Sequence, residues 1–197
     1  MKLRTTIHAS ERRMLILSLY TALFTGMLIG SLICVFSDFS SDSILFSQNI
    51  IPFNISLLES LKRSVCVYTA FLTVFALSGM FSLGQAASYA LLVYRGFCIG
   101  FTLSSSYIIL GFNTFILFSV IPKLLAVSVI FVLAAREAVR LSNKIFAFLF
   151  LNTEKDDMRK YIRLYCIKYA VLMLFSLITA FAENAVNYLF ANSTGGL

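Results

Sequence analysis

An all-α, polytopic helical membrane protein of about five transmembrane helices is the fold that this sequence predicts, and three observations predict it. Hydrophobic residues make up 59% of the 197 positions and charged residues 13%, with a mean hydropathy of +0.89; a water-soluble domain of this size carries about twice that share of charge. Several apolar runs reach the roughly 20 residues that a helix rising about 1.5 Å per residue needs to cross about 30 Å of hydrocarbon. The basic residues are divided among the segments that flank these runs.

The first span is residues 14–36, which holds no charge and is followed by no small-residue cleavage site. That combination predicts a retained anchor rather than a secretory signal. A polar segment, 37–63, contains Asp38, Asp42, Pro52 and Glu59 and leads to a second span over 64–83. Gly84 and Gln85 then interrupt the apolar character. In the next run, 86–112, Arg95 stands near the end of the first third. Its charge predicts a cytoplasmic boundary, with a short re-entrant or interfacial helix over 86–94 and the third span over 96–112.

Asn113 and Thr114 make a tight connection into the fourth span, 115–135, which contains Pro122 and Lys123. A proline inside a helix removes a backbone hydrogen bond, so a kink is expected there, opening space for the lysine. The most highly charged part of the chain follows, 136–163. Its first section, 136–150, alternates charges with Ile145, Phe146, Phe148, Leu149 and Phe150, which predicts an amphipathic end of the fourth helix turned onto the membrane surface. The fifth span is 166–190, before a polar tail. All five helices form a single membrane domain, 1–197.

With the amino terminus cytoplasmic, five spans put 13 of the 16 lysines and arginines inside, Arg95 and Lys168 among them; only Lys62 and Arg63 fall outside, and Lys123 lies within a span. The positive-inside rule therefore selects this orientation. The net charge of +7 is a topology signal with a share for membrane lipid headgroups, and nucleic acid is not an expected partner.

Lys123 and Glu183 are the two ionisable residues placed where lipid makes a charge expensive, roughly 2.5–3.5 kcal/mol at the centre of a helix. Lys123 lies about nine residues from the outer end of its span and Glu183 about seven from the outer end of its own, so their depths differ by only about 3 Å. They are candidates for each other. Two readings follow: a structural ion pair, or the polar site of a small transporter or channel subunit. A proton pathway strings together more groups than two, and no histidine or aspartate lies in a span; His8 precedes the first.

Gly26 with Gly30, and Gly96 with Gly100, follow the small-residue spacing that lets helices approach closely. Ser104, Ser105 and Ser106 extend the small polar surface of the third span, for interhelical packing more cheaply than for a pore. The 20 phenylalanines and nine tyrosines suit lipid-facing and interfacial positions. Cys34, Cys66, Cys98 and Cys166 are isolated singles without metal-ligand spacing; Cys34 and Cys66 come near the same surface. No phosphate-binding glycine loop, nucleophile elbow, zinc-binding helix or carboxylate pair is present. The expectation is a protein without catalytic residues, cofactor or metal, whose oligomeric state, monomer or dimer, the small-residue pairs leave open.

The block Arg95, Gly96, Phe97, Gly100 and Phe101 resembles the lysine/arginine-Gly-Phe-x-x-Gly-Phe signature of the stage II sporulation protein M family of bacterial membrane proteins. Pro122 in the following span, the charged segment after it and the Ala-Phe-Ala run before Glu183 fall in the family's order. The resemblance covers roughly 64–190. Two departures stand out: Lys123 follows the proline, and no proline comes after Glu183. The resemblance implies a non-catalytic scaffold in the mother-cell septal membrane during endospore engulfment. It would hold two peptidoglycan-remodelling partners, sporulation stage II proteins D and P. On such a chain the segment 37–63, with Ile50, Ile51, Phe53 and Ile55, would serve as an outer contact.

Overall fold

The long apolar runs become helices because hydrocarbon offers no partner to a backbone N–H or C=O, and a helix satisfies its own. The computed structural model describes residues 2–36, 57–110, 121–151 and 158–194. They form five helices: α1 (Lys2–Phe36), α2 (Leu57–Met80), α3 (Gly84–Leu110), α4 (Ile121–Leu151) and α5 (Met158–Thr194). No strand occurs among the described residues. Four helices are long and apolar enough to cross a membrane, over Arg13–Phe36, Leu61–Met80, Gly84–Ile108 and Arg159–Val186. The chain is a multi-pass helical membrane protein. Helix α4 has 31 residues, about 46 Å of rise, but Lys123, Arg136, Glu137 and Arg140 break up its apolar character.

Each helix runs opposite to the one before it. α1 and α3 lie parallel, since Ser18 meets Tyr89 at one end (2.6 Å between hydroxyls) and Ser31 meets Ser104 at the other (2.8 Å). α2 and α4 are also parallel: Tyr68 touches Phe131, and further along both helices Phe81 accepts from Ser142. α5 is antiparallel to both, with Glu183 beside Ser64 and Tyr165 beside Ala76 on α2. α4 thus spans the same depth as the apolar helices around it.

The parallel pair is drawn together by its glycines. A Cβ added at Gly26 would fall on the Val93 carbonyl oxygen, and one at Gly30 on that of Phe97; conversely, Gly96 faces the Leu23 carbonyl and Gly100 that of Met27. The two small-residue pairs predicted from spacing are therefore the two halves of one contact, in which bare backbone meets bare backbone. Dispersion and close approach drive such a contact in lipid, where apolar burial contributes little between helices. Ser104 belongs to this seam, as its bond to Ser31 shows, and Ser105 donates to its own helix at Thr102 (3.0 Å).

Two expectations are corrected. Residues 86–94 are not a separate re-entrant or interfacial element, because α3 runs without a break from Gly84 to Leu110. It is about 40 Å long, a full crossing with Arg95 inside it. Nor does 136–150 turn away from the fourth helix: α4 is continuous to Leu151, and Ala138, Val139, Leu141 and Ser142 are buried in the bundle. Within 136–150 it is the far end, with Phe146, Phe148, Leu149 and Phe150, that is exposed. The part of the fourth span before Ile121, and the connection at 113–114, lie outside the described residues.

The core is built where α4 passes between its neighbours. Ala134, Ala135 and Ala138 are fully buried and let Leu72, Phe75, Leu92 and Tyr169 close around it. The interruption predicted at Gly84 is the turn at residues 81–83, closed by Phe81 N–H to Ser78 (3.2 Å) and Gly84 N–H to Phe81 (3.0 Å). Ser142 on α4 fastens this turn. Its hydroxyl donates between the carbonyls of Phe81 (2.9 Å) and Ser82 (3.1 Å) and accepts from the Gln85 N–H (3.1 Å).

Alanine at Gly30 or Gly100 is expected to cost about 1–3 kcal/mol, the usual range for overpacking, in reversible unfolding of the detergent-solubilised chain. Leu32→Ala, on the exposed face of α1, should change little. Equal effects at all three positions would mean that α1 and α3 do not meet along this seam. Ser142→Ala should cost about 0.5–1.5 kcal/mol, because it removes the hydroxyl that holds the turn to α4.

Candidate functional site

The polar residues of the bundle gather around Glu183, which is buried on α5. The Lys123 ammonium on α4 pairs with its Oε1. From α2, Ser64 donates to the same oxygen at 3.3 Å and the Tyr68 hydroxyl donates to Oε2 at 2.8 Å. Ser64 and Tyr68 are four residues apart and so present one face of α2 to the carboxylate. Both carboxylate oxygens are engaged, by groups from two other helices. The pairing of Lys123 with Glu183 is the one expected from their matched depths.

Pro122, beside the lysine, is exposed and falls in the first turn of the described α4. The kink expected at Pro122 turns on the backbone before Ile121, which lies outside the described residues. The four-carbon stem of Lys123 reaches the carboxylate.

Arg95 is not a boundary residue. It is only 5% exposed, with its guanidinium carbon 5.1 Å from the ring centroids of Phe71 and Phe131 and 5.9 Å from that of Tyr68. Three π-faces, two from α2 and one from α4, do the work that interfacial water was expected to do; a desolvated cation over an aromatic face gains about 2 kcal/mol or more. Its Nε has no hydrogen-bond partner. Tyr68 links the two sites, with its ring beside Arg95 and its hydroxyl on Glu183. Removing Arg95 from the inside count leaves 12 of the 16 basic residues there, so the inferred orientation keeps its charge bias.

The remaining signature residues divide between faces of α3. Gly96 and Gly100 meet α1, whereas Phe101 is buried, with its ring 6.3 Å from that of half-buried Phe97. The segment therefore places glycines against one neighbour and a cation against two others.

A second cluster lies toward the opposite end of the bundle and was not foreseen. Glu137 on α4 pairs with Lys168 on α5 (2.6 Å) and with Arg140 (3.3 Å). Nearby, Tyr169 donates to the Ala134 carbonyl (2.7 Å), Tyr165 to that of Ala76 (3.0 Å), and the Lys144 ammonium sits 3.0 Å from the Tyr161 ring centroid. The available signal was Glu137 itself, an acid among Arg136, Arg140 and Lys144. Tyr68 and Ser64 left no comparable trace, because serine and tyrosine are ordinary in apolar helices.

All four cysteines are free thiols. Among the described residues no group of three or more histidine, cysteine, aspartate or glutamate side chains could hold a metal ion. Of the chain's surface grooves, one lies between α2 and α5 and another between α2 and α3; neither of these is lined by Lys123, Glu183 or Arg95. The greater part of the segment 37–63 lies outside the described residues. No family model matches this chain, and no curated protein and no solved structure matches it.

Lys123→Met and Glu183→Gln are each expected to cost about 3–5 kcal/mol, since each leaves the other group buried without its charge partner. The double variant should recover much of that loss. Strictly additive effects in denaturant unfolding would show that the two groups are not coupled.

Proposed function

We propose that this chain is a non-catalytic membrane scaffold rather than a conduit. The observation that carries the reading is the saturation of Glu183: Lys123, Ser64 and Tyr68 occupy both carboxylate oxygens. A transport site keeps coordination free for its cargo, whereas here the polar groups are used between helices. The groove between α2 and α5 and that between α2 and α3 also lie away from these charges.

The same support extends to the signature segment. Arg95, Gly96, Gly100 and Phe101 are held in helix contacts, as suits a motif that shapes a platform. On the resemblance to the stage II sporulation protein M family, we place the chain in a bacterial cell membrane, at the mother-cell septum during endospore engulfment. There it would anchor the peptidoglycan-remodelling proteins D and P of sporulation stage II.

The test combines reconstitution with co-purification. Liposomes carrying the chain are expected to pass ions and small solutes no faster than protein-free liposomes, and proteins D and P are expected to co-purify with it from sporulating cells. A flux that Glu183→Gln abolishes in a folded variant would replace this reading with a transporter. Absence of both partners from the purified chain would remove the engulfment role while leaving the fold intact.

A further inference from the structure

The groove between α2 and α5 encloses about 1050 Å³ and is lined on the α2 side by Leu61, Lys62, Cys66, Ala70 and Val74, and by Leu177 and Phe181 from α5. Three features give it a polarity. Among the described residues Lys62 is its one charged lining residue, and it is exposed and pairs with none of the described acids. The wall is otherwise apolar apart from Cys66, Thr69 and Thr73, and the Thr73 hydroxyl is used within its own helix. The lining on α2 begins at Leu58 and runs about 24 Å along the helix to Val74; the part from Lys62 inward, about 18 Å, is close to the roughly 15 Å depth of one leaflet of a 30 Å hydrocarbon core. It therefore ends near the bilayer midplane, where a transmembrane partner helix would need a track about twice as long.

We propose that this groove is a binding site for one anionic glycerophospholipid, with an acyl chain along Ala70 and Val74 and the phosphate on Lys62. A cation at the headgroup end and an apolar wall of one-leaflet depth match the two halves of such a lipid. A flexible chain fills the irregular space between the small residues of α2 and the bulky Leu177 and Phe181, and the exposed ammonium selects a headgroup carrying net negative charge. The site stands apart from the charge cluster and does not depend on the scaffold reading.

Cys66 is an exposed thiol in the groove wall, and Cys166, exposed on α5 and absent from the lining, serves as its internal reference. The full-length chain, delipidated in neutral detergent, is titrated with dioleoylphosphatidylglycerol or dioleoylphosphatidylcholine. Native mass spectrometry counts bound lipid, and N-ethylmaleimide labelling of each cysteine is quantified by peptide mass spectrometry. Phosphatidylglycerol is expected to bind with a stoichiometry of one and to slow Cys66 labelling several-fold without affecting Cys166. Lys62→Gln should abolish the preference over phosphatidylcholine, and Ala70→Phe should prevent retention of either lipid. Helix content by circular dichroism, unchanged in both variants, keeps the comparison valid. Equal retention of the two lipids by the unaltered chain, indifference to Lys62→Gln, or protection of Cys66 through a second copy of the chain would each overturn the proposal.

Discussion

A charge placed in hydrocarbon must find its partner inside the protein, and this bundle is arranged around that requirement. Glu183 sits where an unpaired carboxylate would be expelled, and α2 and α4 each hold part of what it needs. Neither helix can shift alone without exposing a desolvated charge. The interaction is strong because its geometry is complete: loss of one partner costs far more than loss of the whole set, which makes such clusters better at specifying an arrangement than at adding net stability. Tyr68 extends this constraint to Arg95 on α3, so four of the five helices meet in one polar network.

The fifth helix, α1, is joined by the opposite means. It brings no charge to the network and is held to α3 by reciprocal glycine contacts, with serine and tyrosine hydroxyls near the two ends of the seam. The two devices meet on α3, where Gly96 directly follows Arg95. One face of that helix is smooth enough to admit bare backbone, while the next residue directs a guanidinium into aromatic rings. At the other end of the bundle, Ser142 ties α4 to the turn between α2 and α3, and Glu137 ties it to α5. Each end of α4 is thus anchored by polar contacts, with small alanines between them.

Much of this was legible in the sequence because membrane spanning is a length problem. The runs that became α1, α2 and α5 announce themselves by their length and apolarity, Gly84 marks the turn, and matched depth paired Lys123 with Glu183 before any contact was seen. The glycine pairs were legible as sticky surfaces, although spacing did not say that they would meet each other. Arg95 was misread because the rule that a charge marks a boundary assumes that water must satisfy it. Its actual partners, Tyr68, Phe71 and Phe131, come from two other helices, and aromatic residues are too common here for three of them to stand out. The same assumption split α3 in two and turned the end of α4 onto the surface, whereas burial of Ala138 and Ser142 keeps that stretch in the bundle.

On the proposed reading, a bundle whose buried charges are spent on contacts between helices offers surfaces rather than a passage, and a scaffold needs the former. The most direct test of that account asks whether water reaches the polar network. Water-edited solid-state NMR of the chain in lipid, with arginine nitrogens labelled and the Arg95 signal assigned by its disappearance in Arg95→Lys, reads this at the innermost charge. The account predicts no magnetisation transfer from water to the Arg95 guanidinium while exposed arginines receive it rapidly. Transfer to Arg95 as fast as to those surface groups would reveal a hydrated path through the bundle and contradict the closed, structural role of its charges.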